Sequence, residues 1–270
     1  MNSTSTQLYK YRQFDDSRRN LRIISHSELW FSCAKSFNDP FDTAFTYNFE
    51  GLHDELAERW ALDAADRHFS DLPLHERRDR AMRILAAIRN SPTYQQEKER
   101  EFVEDNYRTF GICSFAGSYD NLLMWAHYAA SHTGFCVGFS GAHLEEIMEN
   151  YAKQDVLLDR TEVKYSTEAP RPNFFESMLD LGDASHVNSF IATKSIDWKY
   201  EQEQRLVYLH HVDEALSIGH AAITEVILGC RISSQNRDEI VSLCRSKVPH
   251  ARILRAEKDD RSFALKFNDI

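Results

Sequence analysis

GICSF (111–115), LLMWAHYA (122–129) and GFCVGF (134–139) carry the reading that decides the fold class. The outer two are short apolar runs rich in aromatic and β-branched residues, the signature of strands, and the middle one reads as one or two helical turns. Two strands thus bracket a compact segment holding Trp125, His127 and Tyr128. Upstream, LYKYR (8–12) alternates like a short strand, the segment after it has helical spacing at Leu21, Ile24 and Leu29, and a second strand covers Leu29 to Ser32. Polar and proline-containing turn residues, FNDPFD (37–42), stop that strand.

Downstream, the pattern predicts helix 142–152, strand 161–166, helix 174–193, strands 203–210 and 222–229, helix 235–247, and strands 251–257 and 262–267. Strands and helices mix without the regular alternation of a doubly wound sheet, so the expected class is α+β. The stretch from Leu52 to Tyr107 differs: it is highly charged, has no glycine, and spaces apolar residues three or four apart, as in Leu52, Leu56 and Trp60, then Met82, Leu85 and Ile88. It reads as two or three amphipathic helices broken near Pro73 and Pro92. The expected organisation is a single domain, 1–270, with a helical insertion at about 52–107.

With 42% hydrophobic and 27% charged residues in 270, the chain has the composition of a folded protein. No apolar run reaches the length of a membrane span and the start is polar, so no membrane contact and a cytoplasmic location are expected. Thirty-two Lys and Arg against forty-two Asp and Glu give a formal charge of −10, which excludes a passive nucleic-acid coat but not a local basic patch. The five cysteines are odd in number and never spaced C-x-x-C, which reads as buried thiols in a reducing compartment.

No metal site is expected, because HERRD at His75 lacks a second histidine, His127 and His132 do not share a helical face, and His210 and His211 would point to opposite sides of a strand. Hydrolase elbows, P-loops and dinucleotide-binding glycine motifs are absent. What remains is four groups of polar residues set in apolar sequence: Tyr9, Tyr11 and Arg12; Asn38 and Asp39 beside Pro40; Trp125, His127, Tyr128 and His132; and Glu201, Glu203 and Arg205 in DWKYEQEQR. An E-x-E entering a strand puts both carboxylates on one face of the pleat, roughly 6 to 7 Å apart at Cα, with Arg205 continuing that face. Either Arg205 neutralises Glu203 or a cross-strand partner, or a carboxylate is held near a developing positive charge, as in cleavage of a glycosidic bond. Asn38 and Asp39 read equally as a turn before proline, and His127 as a buried, satisfied histidine or as a donor to a ligand.

Most of the chain, through LYKYR, FNDPFD, GICSF, LLMWAHYA, GFCVGF and WKYEQEQR, resembles a widespread bacterial family known only as a domain of unknown function. The resemblance spans about four-fifths of the chain. More distantly, an early strand ending in Arg, a second strand followed by polar residues and a late E-x-E are similar to the order of elements in ADP-ribosyltransferases of the Arg-Ser-Glu type. That resemblance implies mixed, mainly antiparallel sheets, NAD as substrate, Arg12 orienting the dinucleotide, Ser32 buttressing the site, Glu203 at the nicotinamide-side ribose and Glu201 assisting the acceptor. WFSCAKS departs from the family's Ser-Thr-Ser pattern, and His127 has no counterpart there. Tyr9, Tyr11, Trp125 and Tyr128 would either stack on the rings or, as is commoner for aromatics in apolar runs, pack in the core, and Asn38, Asp39 and His127 would complete the pocket. It further implies transfer to RNA, DNA or protein, the role of a toxin or antiphage effector, and an antitoxin or other neutralising partner. Two other readings stand beside it: a non-catalytic nucleotide-binding or sensing protein whose helical insertion docks a partner, and NAD hydrolysis without transfer.

Overall fold

A computed structural model describes residues 7–49, 54–179 and 185–270. In chain order the elements begin with β1 (Leu8–Arg12), α1 (Arg22–Ser25), β2 (Glu28–Cys33), α2 (Asp54–His68), α3 (Leu74–Asn90), α4 (Pro92–Thr109) and β3 (Phe110–Phe115). There follow α5 (Leu122–Tyr128), β4 (Phe135–Phe139), α6 (Gly141–Ala152), β5 (Leu158–Glu162), β6 (Lys164–Ser166), α7 (Phe174–Leu179), α8 (Ser185–Ile191) and β7 (Thr193–Ser195). The chain closes with β8 (Gln204–Leu209), β9 (Glu214–Ser217), β10 (Ile223–Leu228), α9 (Ser234–Lys247), β11 (Arg252–Lys258) and β12 (Leu265–Asp269). The class is α+β, as the pattern predicts, with mixed and mainly antiparallel sheets. Among the described residues no helix is long and apolar enough to cross a membrane.

The chain divides into two compact units, one formed by residues 1–37, 109–163 and 197–270, the other by 38–108 and 164–196. In the first unit two five-stranded sheets run in the orders β1-β4-β10-β11-β12 and β5-β8-β3-β2-β9. Pairing is antiparallel except between β10 and β11, which are parallel and joined through α9. Such a connection needs a crossover element, and α9 provides it.

The reason β4 reads as a continuous apolar run is its central position between β1 and β10. Its Phe135, Val137 and Phe139 enter a core shared with Leu8, Leu29, Phe31, Phe115 and Leu206, while Cys136 enters a second core with Tyr9, Tyr11, Trp125, Ile227 and Leu254. A strand buried on both faces has no polar side to show. At Gly138 a Cβ would lie 2.7 Å from Glu225 Cγ, so the neighbouring carboxylate fills the space a side chain would need. Each large apolar side chain buried here contributes about 1.5–3 kcal/mol.

The second unit holds the helices foreseen between 52 and 107, together with α7, α8 and the parallel pair β6-β7. Leu52 lies outside the described residues. Ala57, Ala61 and Ala65 bury one stripe of α2, and Ala81, Leu85 and Ile88 bury one stripe of α3. Both prolines mark helix starts: Pro73 caps α3, and Pro92 is the first residue of α4, where a missing N–H has no helical partner to lose. Phe45, Tyr47, Phe102, Phe174 and Phe190 build an aromatic cluster, with Phe45 stacked on Phe102 at 4.4 Å.

The structure differs from the pattern at four places, among them the strand read at 262–267, which is β12 (Leu265–Asp269) preceded by a turn. The strand read at 161–166 is two strands, β5 and β6, and the helix read at 174–193 is α7 and α8, with 180–184 outside the described residues. β9 has no sequence signal, since GluAlaLeuSer buries only Leu216 and pairs at the edge of its sheet with β2.

Candidate functional site

β1 places Leu8, Lys10 and Arg12 on one face and Tyr9 and Tyr11 on the other. Tyr9 and Tyr11 are core residues: Tyr9 donates its hydroxyl to Glu225 at 2.9 Å, and Tyr11 sits edge-on to Trp125 at 5.1 Å. Burial pushes both phenols well above their ordinary range. Trp125 is fully buried and donates its indole N–H to the Tyr119 carbonyl at 2.7 Å. These three rings are packing partners, with no face open to a ligand.

Arg12, at the end of β1, is half-exposed and opens onto a cavity of about 680 Å³ that Ser32 also lines. Among the described residues the Arg12 guanidinium makes no hydrogen bond or ion pair. The two acids at this cavity are already committed: Asp15 accepts the backbone N–H groups of Arg19 and Asn20 at 2.9 Å, and Glu28 takes Arg22 at 2.6 Å through two hydrogen bonds. Arg19 lies 5.4 Å over the ring of Trp30, which is 39% exposed. The local surface therefore presents the Arg12 guanidinium, the Ser32 hydroxyl, and Arg19 resting on the part-exposed Trp30 indole. Sequence reasoning missed Arg19 and Trp30, because what gathers them is the turn knotted on Asp15, and no spacing rule marks it.

The E-x-E does not lie on a pleat. Glu201 ends a 3-10 turn (Ile196–Glu201), Gln202 takes a left-handed conformation with φ 48°, and β8 begins only at Gln204. The two carboxylates consequently diverge in their partners. Glu201 accepts the Tyr128 hydroxyl at 2.7 Å, whereas Glu203 receives Arg205 through two hydrogen bonds, 2.8 and 3.2 Å. All three charged groups are buried, with Arg205 at 0% exposure. Of the two readings open for Arg205, neutralisation of Glu203 is the one its geometry matches, but in an interior site and not on a surface ladder.

Lys10 is the group that sequence reasoning passed over. Its ammonium is buried, donates to the Ser114 carbonyl, and lies 5.3 Å over the Phe115 ring. Desolvation brings it down to about 8, opposed by the Cys113 thiol and by the nearby Glu203 carboxylate, and reinforced by Arg12. Its place between Leu8 and Arg12 on an alternating strand was the signal. Lys10, Glu203 and Arg205 thus form one buried electrostatic neighbourhood inside the first unit.

His127 is exposed, not buried. Its ring neighbours are Tyr128 at 6.3 Å, Trp198 at 6.3 Å and Tyr200 at 6.5 Å. The Asn121 side chain fixes this group, because its oxygen caps α5 while its amide donates to the Tyr200 carbonyl at 2.9 Å. Asn38 and Asp39 belong to the second unit. Asp39 builds the expected turn by accepting from the Phe41 N–H at 2.9 Å, and its other carboxylate oxygen is buried with no hydrogen-bond partner among the described residues.

No curated protein and no solved structure matches the chain. Residues 124–206 match a family model described as "Protein of unknown function (DUF2971)", a span that contains MWAHYA and WKYEQEQR and leaves LYKYR, FNDPFD and GICSF outside it.

Proposed function

We propose that the chain binds NAD at the Arg12 cavity and transfers ADP-ribose to a macromolecular acceptor. The observation that carries this reading is the meeting at one cavity of Arg12 and Arg19, neither in an ion pair among the described residues, with the part-exposed Trp30 ring on which Arg19 rests and the Ser32 hydroxyl. Guanidinium groups suit the diphosphate, and the indole suits a planar base or nicotinamide. In the transfer, the C1′–N bond breaks, nicotinamide leaves with the electron pair, and an acceptor nucleophile bonds to C1′ and gives up its proton. Few catalytic groups are needed beyond a positioned dinucleotide and a carboxylate near the developing oxocarbenium ion. Glu203 is assigned that carboxylate role and Glu201 the acceptor side, although both are buried and neither lines the Arg12 cavity, so the reading requires Glu203 to be exposed to the bound dinucleotide.

A second reading, nucleotide binding without turnover, is favoured by the clamp on Glu203. A carboxylate already satisfied by a buried guanidinium must exchange that partner before it can serve a ribose.

One experiment separates them. Labelled NAD is incubated with a cell extract and wild type, Arg12→Ala or Glu203→Gln, folding being checked by circular dichroism. Nicotinamide release and label retained on RNA, DNA or protein are followed, alongside NAD binding to the purified chain. Transfer predicts release by wild type, at least about a hundredfold less from Glu203→Gln, and NAD binding weakened about tenfold or more by Arg12→Ala. The same substitution at Glu203 relieves any growth arrest caused by expression if the chain is an intracellular effector. Binding without release supports the second reading, release of free ADP-ribose alone indicates hydrolysis, and no NAD binding at millimolar concentration sinks the first two.

A further inference from the structure

At the opposite end of the first sheet from β1, the β11-β12 hairpin borders a separate cavity of about 670 Å³. Its walls carry Arg231, Lys258 and Arg261, and among the described residues none of the three makes an ion pair. Asp259, also in the wall, is not available to neutralise them. It accepts the Arg261 and Ser262 N–H groups at 2.6 and 3.0 Å and binds Lys266 at 2.9 Å, and these donors bring its carboxyl down to about 2. Asp260 alone remains to oppose the three cations.

The same hairpin turn holds Phe263 fully exposed, beside Leu122 and Leu265 in the cavity wall. A bare phenyl ring on a turn ordered by its own hydrogen bonds is apolar surface with no fold-level use, and it stands beside a positive cluster. His132 adds an independent sign. It lines the cavity, and desolvation, then Arg231 and Lys258, lower its basicity, so the field of the two cations reaches the ring. Close packing fixes it there: Gly229 leaves no room for a Cβ, which would fall 2.2 Å from the His132 carbonyl.

We infer that this cavity is a second binding site, for a small molecule that joins a planar ring to a phosphate. The cations would take the phosphate and Phe263 would cover the ring. The inference does not depend on the reading of the Arg12 cavity.

Cys230 lines the cavity and is half-buried, which supplies a local reporter. In a Cys33→Ser background, which removes the other half-buried thiol, alkylation of Cys230 by iodoacetamide is followed by mass spectrometry with 5′-AMP, adenosine or inorganic phosphate as probes. AMP is expected to slow the alkylation at least about fivefold at saturation, adenosine and phosphate each much less at equal concentration. Replacing Arg231 and Lys258 together by Ala raises the AMP concentration needed about tenfold or more, Phe263→Ser raises it severalfold, and Arg12→Ala leaves it unchanged. Absence of protection at millimolar AMP would overturn the inference. So would protection that survives the double substitution, protection lost in Arg12→Ala, or protection by phosphate equal to that by AMP.

Discussion

Lys10 is the residue whose cost is most visible. A buried ammonium brought down to about 8 from an ordinary 10.5 weighs on stability wherever it must stay charged, on the order of 3 kcal/mol. The sign is set by proton uptake: between about pH 8 and 10.5 the unfolded chain holds a proton on Lys10 that the folded chain has released, so this contribution rises with pH over that window and is lost as pH falls through 8. Above about pH 9, the buried thiols Cys136 and Cys244 and the phenols Tyr9 and Tyr11 act the other way, because the unfolded chain ionises them first. The difference in urea midpoint between wild type and Lys10→Met isolates the lysine. We expect Lys10→Met to gain most on wild type at pH 7 and the gap to shrink toward pH 10; a gap constant with pH would mean the ammonium is not desolvated.

At the scale of elements, α5 depends on one side chain. Asn121 caps its first turn and also ties it to the 3-10 turn carrying Trp198, Tyr200 and Glu201. Asn121→Ala should cost about 1–2 kcal/mol in urea unfolding, more than Ser140→Ala at the N-cap of α6, which loses a single 3.3 Å bond. Equal losses would show that the bridge to Tyr200 adds nothing. The elements were largely legible in the sequence, since β1, β3, β4, β8 and β10 bury alternating or continuous apolar runs, and Pro73 and Pro92 punctuate the helices. The sites were less so. The E-x-E rule assumes an unbroken pleat, and Gln202 breaks it with a left-handed backbone that no residue type at that position announces. Arg12 and Ser32 do meet at one cavity, but Arg19 and Trp30 join them only through a turn closed by side-chain to backbone bonds.

For the molecule as a whole, five cysteines and no disulfide mean that denatured protein should titrate five thiols without any reductant. In the native state, Cys33 and Cys230 should react first, while Cys113, Cys136 and Cys244 wait for unfolding; rapid labelling of all five would mean that the cores open readily. The formal charge of −10 is unevenly spent, for the cations near Arg12 and near Lys258 stand apart from the acidic balance of the chain. The pairing of β1 with β4 has a consequence for synthesis on the ribosome. Residues 8–12 leave the exit tunnel long before residues 135–139, their partners in the sheet, and at the usual pace of translation the delay is on the order of ten seconds. Through that interval the nascent LYKYR segment carries Lys10 on the face that will later be enclosed, with Arg12 at its end, and a strand so charged is a poor template for pairing with another chain. The lysine that burdens the finished protein is thus a safeguard for the unfinished one.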